Sequence, residues 1–134
     1  MLSLCSGLKF GIYSSAGSRT CLGCCQGSRH HEPQDAAAFA EWGVDYLKYD
    51  NCFVEAGDDV VPRFSAMRDA LNATGRPMLY AMCEWGVGGP WLWGEAVGNS
   101  WRTTADVGNS WEDVLRGLDD SVGLAQFGGP GTLL

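Results

Sequence analysis

Three carboxylates and two cations, Asp50, Glu84, Asp106, Lys48 and Arg102, each stand at or just beyond the end of a short apolar run. Brought to one mouth, such a set is the raw material of glycoside cleavage, in which one carboxylate attacks the anomeric carbon and another protonates the leaving oxygen. The two tasks need opposite protonation states. The nucleophile must stay ionised, which a neighbouring ammonium such as Lys48 favours, whereas the acid must hold its proton, which burial or a nearby negative charge favours. Asp50 suits the first role and Asp106 the second. Asp106 reads equally as an acidic residue ahead of a helix, and Lys48 with Asp50, taken from the strand alone, reads first as a structural ion pair closing it. Spacing alone does not choose.

The elements that would carry these groups follow from pattern. In Tyr46-Leu-Lys-Tyr-Asp50, strand alternation puts Tyr46, Lys48 and Asp50 on one face and Leu47 and Tyr49 on the other. Residues 8–13 predict an earlier strand stopping at Tyr13, with a small-residue loop from Ser14 to Ser18. Residues 35–43 predict a helix with Gly43 as its C-cap, leading into the strand over 44–50. Val60, Phe64, Met67 and Leu71 fall at helical spacing over 60–73, and Gly75 ends that helix. Residues 76–83 form a third strand whose mouth is Glu84-Trp85-Gly86, and 100–104 a brief fourth. Asn109 or Ser110 caps a last helix with acidic residues in its first turn, and 124–127 begin a fifth strand.

Strand and helix therefore alternate, as in a parallel α/β protein. A doubly wound sheet and a (β/α)8 barrel both satisfy the order, and both carry their sites at strand ends. Tyr13 joins the charged residues there. The helix starts show no Gly-x-Gly-x-x-Gly and no phosphate-loop lysine, which weakens the nucleotide-binding sheet.

At 134 residues the chain is the size of one domain. A formal net charge of −7 argues against nucleic acid and anionic membrane as partners. No stretch approaches the roughly 20 apolar residues of a membrane span, and the first residues do not read as a signal peptide. Six tryptophans read as core by default. Six cysteines, three of them in Cys21-Leu-Gly-Cys24-Cys25, favour oxidising surroundings. Asn72-Ala-Thr74 is a glycosylation sequon.

Lys9-Phe-Gly-Ile-Tyr13-Ser-Ser-Ala-Gly, Trp42-Gly-Val-Asp-Tyr-Leu-Lys48-Tyr-Asp50-Asn-Cys52, Thr74-Gly-Arg-Pro77, Cys83-Glu84-Trp85-Gly86 and Asn99-Ser-Trp101-Arg102-Thr-Thr-Ala-Asp106 together resemble the α-galactosidases (melibiases) of glycoside hydrolase family 27. The five motifs occur in family order and spacing, over most of residues 8 to 131. The resemblance implies a (β/α)8 barrel and a retaining double displacement on terminal α-linked galactose, without a metal or other cofactor. Its partners would be α-galactoside oligosaccharides or glycoconjugates, and its setting secreted, vacuolar or lysosomal. Asp50 matches the family nucleophile and Asp106 its acid/base. Lys48, Glu84 and Arg102 match residues that hold sugar hydroxyls, Tyr13 an aromatic at the pocket, and Trp85 a position that helps exclude a 2-acetamido group. Cys21 and Cys52 match a family disulfide.

The departures define rivals. A (β/α)8 barrel takes about 250 residues, so residues 1–134 are expected to be a partial catalytic domain. It would lack the family's first strands, with their tryptophan and paired aspartates, and the later part of the barrel, and would be weak or inactive alone. Gly129-Pro-Gly131 starts a family segment that then diverges at Thr132-Leu-Leu134. An α-N-acetylgalactosaminidase or another glycosidase of the family is the nearest alternative, with Glu84-Trp85 against the former. A degenerate, non-catalytic galactoside-binding protein is another. A zinc module built on Cys21, Cys24, Cys25, His30 and His31 is weakened by the missing second Cys-x-x-Cys pair. Cys5 and Cys83 read as buried thiols.

Overall fold

A computed structural model describes residues 7–128. Four parallel strands, β1 (Gly11–Ser15), β2 (Tyr46–Asp50), β3 (Leu79–Cys83) and β4 (Ser100–Trp101), lie in the order β1-β2-β3-β4. Helices α1 (Glu32–Glu41) and α2 (Val60–Ala73) make the first two crossovers, and α3 (Trp111–Ser121) follows β4. Crossovers between parallel strands are right-handed almost without exception. When each strand is laid beside the one before it, right-handed crossovers put α1 and α2 on the same face, which is the barrel mode of winding and not the doubly wound one.

The burial pattern follows that geometry. Leu47, Tyr49, Tyr80 and Met82 face the helices and are buried against Phe39, Phe64, Met67 and Leu71. Phe64 meets Tyr49 edge-on at 5.5 Å between centroids, and Tyr80 donates its hydroxyl hydrogen to the Phe64 carbonyl at 3.1 Å. On the other face Tyr13, Tyr46 and Leu79 are exposed. Of the tryptophans, Trp101 is buried, whereas Trp42 and Trp111 are exposed, so core placement holds for only part of the set.

Local chemistry fixes the element ends. Asp59 caps α2 by accepting from the Val61 N–H at 3.1 Å. Ser110 and Asp113 form a reciprocal capping box on α3, as the acidic first turn suggested. Gly43, at φ +75°, turns the chain out of α1.

Two expectations fail. The first strand runs on through Ser14 and Ser15 instead of stopping at Tyr13. These serines are buried polar residues whose hydroxyls are satisfied by Ser28, by the Asp50 and Cys52 carbonyls and by the Cys52 N–H, a compensation invisible to a pattern that treats serine as loop. Residues 125–127 are a 3-10 turn and not a fifth strand. Its neighbour in the sheet would be β4, which is only two residues long and offers that segment little edge to pair with. Cys5 and Gly129–Leu134 lie outside the described residues.

The loops after β1 and β2 are tied backbone to backbone: Ala16 N–H donates to the Asp50 carbonyl at 2.7 Å and Ser18 N–H to that of Phe53 at 3.0 Å. Gly17 is required at this crossing, because a Cβ there would sit 2.0 Å from the Cys52 carbonyl oxygen. Gly17→Ala is expected to destabilise the chain by about 1–3 kcal/mol, read as a lower denaturant midpoint, with Gly123→Ala as the control for a glycine that touches nothing and needs no left-handed backbone.

Candidate active site

Register sets the site. Ser15, Asp50 and Cys83 are level at the carboxyl ends of β1, β2 and β3, and Tyr13, Lys48, Ala81 and Ser100 form the layer below. Asp50 is only 5% exposed. Its Oδ2 accepts from the Tyr13 hydroxyl at 3.1 Å and its Oδ1 from the Asn51 N–H at 2.9 Å. These two donors fix the plane of the carboxylate. Burial is the largest cause that holds the Tyr13 hydroxyl above its ordinary pKa, with the Asp50 charge and hydrogen bond adding to it.

The Lys48–Asp50 ion pair is not formed. Lys48 Nζ lies 5.8 Å from the centroid of the Tyr13 ring, and no salt bridge joins it to Asp50. Residues two apart on a strand share a face but stand well apart along it, and Tyr13 fills the space beside the carboxylate. Lys48 is exposed and available to a ligand.

Glu84 is fully buried at the mouth of β3, and neither carboxylate oxygen has a hydrogen-bond partner. Burial pushes its carboxyl up to about 8; the backbone N–H groups of Glu84 and Gly86, near the oxygens but outside hydrogen-bond geometry, and the Arg102 charge oppose this only in part. The turn that buries it is tight: Trp85 has φ +57°, and a Cβ on Gly86 would meet the Thr103 carbonyl oxygen at 2.3 Å.

Arg102 Nη1 donates to Asp106 Oδ1 at 2.7 Å and to Cys83 Sγ at 3.7 Å, while Nη2 donates to the Thr104 carbonyl at 3.0 Å. Asp106 is 84% exposed, and the Arg102 hydrogen bond and charge hold its pKa below the ordinary aspartate value. That is the opposite of the raised pKa expected of a general acid. Cys83 is buried as expected, and burial followed by the nearby Asp50 charge pushes its thiol up. An open groove of about 590 Å³ runs along this face past Lys48, Ala81, Cys83, Ser100, Arg102 and Thr104.

Cys21 and Cys52 are joined in a disulfide. Their sulfurs and an Asp50 oxygen cluster within 4.8 Å, but a disulfide sulfur is not the thiolate that a metal site needs. The same bond removes Cys21 from the zinc grouping considered above.

The alpha galactosidase A family model (Melibiase_2) matches residues 4–131. The chain belongs to this family. It is 55% identical over 96 residues to "Alpha-galactosidase mel1" of Schizosaccharomyces pombe, covering 68% of this chain and 22% of that protein. It is 47% identical over 138 aligned positions to "Alpha-galactosidase A" of Cellvibrio japonicus, covering 93% of this chain and 33% of the relative. The solved alpha-galactosidase of Saccharomyces cerevisiae superposes with a TM-score of 0.90 at 35% identity, over 96% of this chain and 34% of that one; a second structure of the yeast enzyme contains raffinose. The fold is thus a partial (β/α)8 barrel, and the chain spans between 22% and 34% of the length of these relatives.

Two supporting residues escaped the sequence reading. The Ser15 hydroxyl donates to the Asp50 and Cys52 carbonyls at 3.2 and 3.1 Å and accepts from the Cys52 N–H at 3.1 Å. Arg63, on α2 and 3% exposed, donates to Asn51 Oδ1 at 2.8 Å and so anchors the residue that follows Asp50. An arginine in the first turn of α2, on the same stripe as Val60, Phe64 and Met67, was the available signal.

Glu84 makes stability depend on pH. Its folded pKa of about 8 lies above the ordinary 4.5, so the folded state binds more protons than the unfolded state between those values, and stability falls as pH rises through that window. The expected loss is on the order of a few kcal/mol. Glu84→Gln should flatten the slope between pH 5 and about 8 in denaturant titrations.

Proposed function

We propose that this chain carries the reacting carboxylates of a retaining α-galactosidase. The observation that carries the reading is Glu84, a buried carboxyl with both oxygens unpartnered beside a nucleophile candidate already oriented by two donors. An unsatisfied buried polar group costs about 1–3 kcal/mol, and a sugar hydroxyl at the mouth would relieve that cost. The family membership and the raffinose-bound relative support a terminal α-galactoside as the sugar.

In this reading Asp50 attacks the anomeric carbon and forms a β-linked glycosyl ester while Asp106 protonates the departing oxygen. Asp106 then deprotonates a water that attacks the ester, returning the α configuration. Asp106 must first hold a proton. When the Arg102 fork turns to sugar hydroxyls, the carboxylate loses the cation that now keeps it ionised, and its pKa rises. Lys48 and Arg102 are donors to hydroxyls, Tyr13 orients Asp50, and Trp85 walls the position next to the 2-hydroxyl, leaving no room for a 2-acetamido group.

The same reading makes residues 1–134 part of a catalytic domain, and the disulfide supports an oxidising setting such as a secretory or vacuolar one. With Tyr13, Tyr46 and Leu79 exposed on the face opposite the helices, the sugar has only one wall, so the chain by itself is expected to turn over weakly or not at all.

Grafting this chain in place of the matching third of the Cellvibrio japonicus relative gives a barrel in which the roles can be assayed. The graft should hydrolyse an aryl α-galactoside, and prefer it to the N-acetylated analogue. Asp50→Gly should lower kcat at least about a thousandfold, with azide restoring turnover and yielding the β-galactosyl azide. Asp106→Ala should cost about 10²–10⁴, with azide yielding the α-galactosyl azide. Asp50→Gly retaining full turnover, or the two azide products exchanged, would refute the assignment.

A further inference from the structure

The loop between β1 and α1 holds a cluster that the proposed reaction does not use. Cys24 and Cys25 are adjacent, exposed and free, with their sulfurs 3.1 Å apart, one thiol donating to the other. The loop that presents them is not loose. Thr20 N–H donates to the Cys25 carbonyl at 3.0 Å, Gly23 N–H donates to the Thr20 carbonyl at 2.7 Å, and Arg19 and Gln26 form an antiparallel bridge. The Cys21–Cys52 disulfide pins the same loop to the exit of β2. The hairpin therefore holds both thiols side by side in solvent, within reach of a small electrophile.

We propose that Cys24 and Cys25 are a vicinal dithiol modification site that reacts with a small-molecule disulfide and closes to a Cys24–Cys25 disulfide. In the first step one thiolate of the pair attacks a sulfur of the small disulfide; a protein–sulfur bond forms, the small S–S bond breaks, and one small thiolate leaves. In the second step the neighbouring thiol gives up its proton and attacks the protein-side sulfur, expelling the second small thiolate. The pair is oxidised by two electrons, and the small disulfide is reduced to two thiols that take up the two protons.

Proximity favours the second step. With the sulfurs already in contact, ring closure competes with dissociation of the small thiol and with reaction of a second small disulfide. The product is also distinguishable from the structural bridge. Adjacent Cα atoms are about 3.8 Å apart across a trans peptide, closer than the roughly 4.4–6.8 Å that an unstrained disulfide spans. Cys21 and Cys52, at 5.0 Å, lie within that range. A strained, exposed disulfide has the more oxidising potential, so the surroundings that keep Cys21–Cys52 closed let Cys24–Cys25 open and close. The inference does not rest on the galactosidase reading, since it concerns thiols outside the carboxylate cluster.

The test uses the whole chain, oxidised glutathione as the small disulfide, and mass spectrometry under non-reducing conditions. The expected product is lighter than the starting chain by two hydrogen atoms and carries no glutathione, with fragmentation placing the new bond between Cys24 and Cys25. Cys24→Ser and Cys25→Ser should each instead retain one glutathionyl group on the remaining thiol. Reduced glutathione should reopen the new bond at a concentration at least about tenfold lower than that needed for Cys21–Cys52. The proposal is overturned by two stable glutathionyl groups on the unsubstituted chain, by a bond from either thiol to Cys5, Cys21 or Cys52, or by no reaction at these two residues.

Discussion

The parallel register of β1, β2 and β3 is the constraint on which the site depends. It levels Ser15, Asp50 and Cys83 at one edge of the sheet, and every chain segment leaving that edge must turn there. Three turns then share a small space, and each polar group in them needs a partner from another turn. The Ser15 hydroxyl supplies several at once, joining the carbonyls of Asp50 and Cys52 and the N–H of Cys52. The disulfide adds a covalent clamp at the same crossing. Buried hydrogen bonds of this kind contribute about 1 kcal/mol each when made and cost more when one partner is lost, so the exits of β1 and β2 form one unit.

The electrostatics of the mouth are divided between burial and pairing. Glu84 has no partner and burial dominates, so its carboxyl holds a proton near neutral pH. Asp106 is exposed and paired, so Arg102 dominates and the carboxylate stays charged. Two carboxyls at the mouth thus reach opposite protonation states, and Arg102 links them by facing both the loop carrying Asp106 and the sulfur of Cys83. A ligand that engages Arg102 therefore alters both carboxyls.

Much of the architecture was legible because it is local. The helix over Val60–Ala73 falls where Phe64, Met67 and Leu71 recur at helical spacing, and the cap at Ser110 follows from its side-chain chemistry. The strands at Tyr46–Asp50 and Leu79–Cys83 lie inside the apolar runs. The extension of β1 through Ser14 and Ser15 was not legible, because those hydroxyls are satisfied by residues up to 37 positions away. Nor was the turn at Ala125–Phe127: a short apolar run is equally a strand or a turn until a neighbouring strand offers or withholds its edge.

The residue types at the strand ends, the motif order and the alternation of elements were determined by the sequence alone, and they carried the family and the identity of the candidate residues. Tertiary structure decided what those residues do to one another. Lys48 and Asp50 share a strand face, yet Tyr13 from the neighbouring strand takes the place beside the carboxylate. Asp106 and Arg102 pair across a loop, and Glu84 is buried with neither oxygen hydrogen-bonded. Side-chain spacing along one strand is a local property, whereas the partner, burial and protonation of a carboxyl depend on which other segments the fold brings against it.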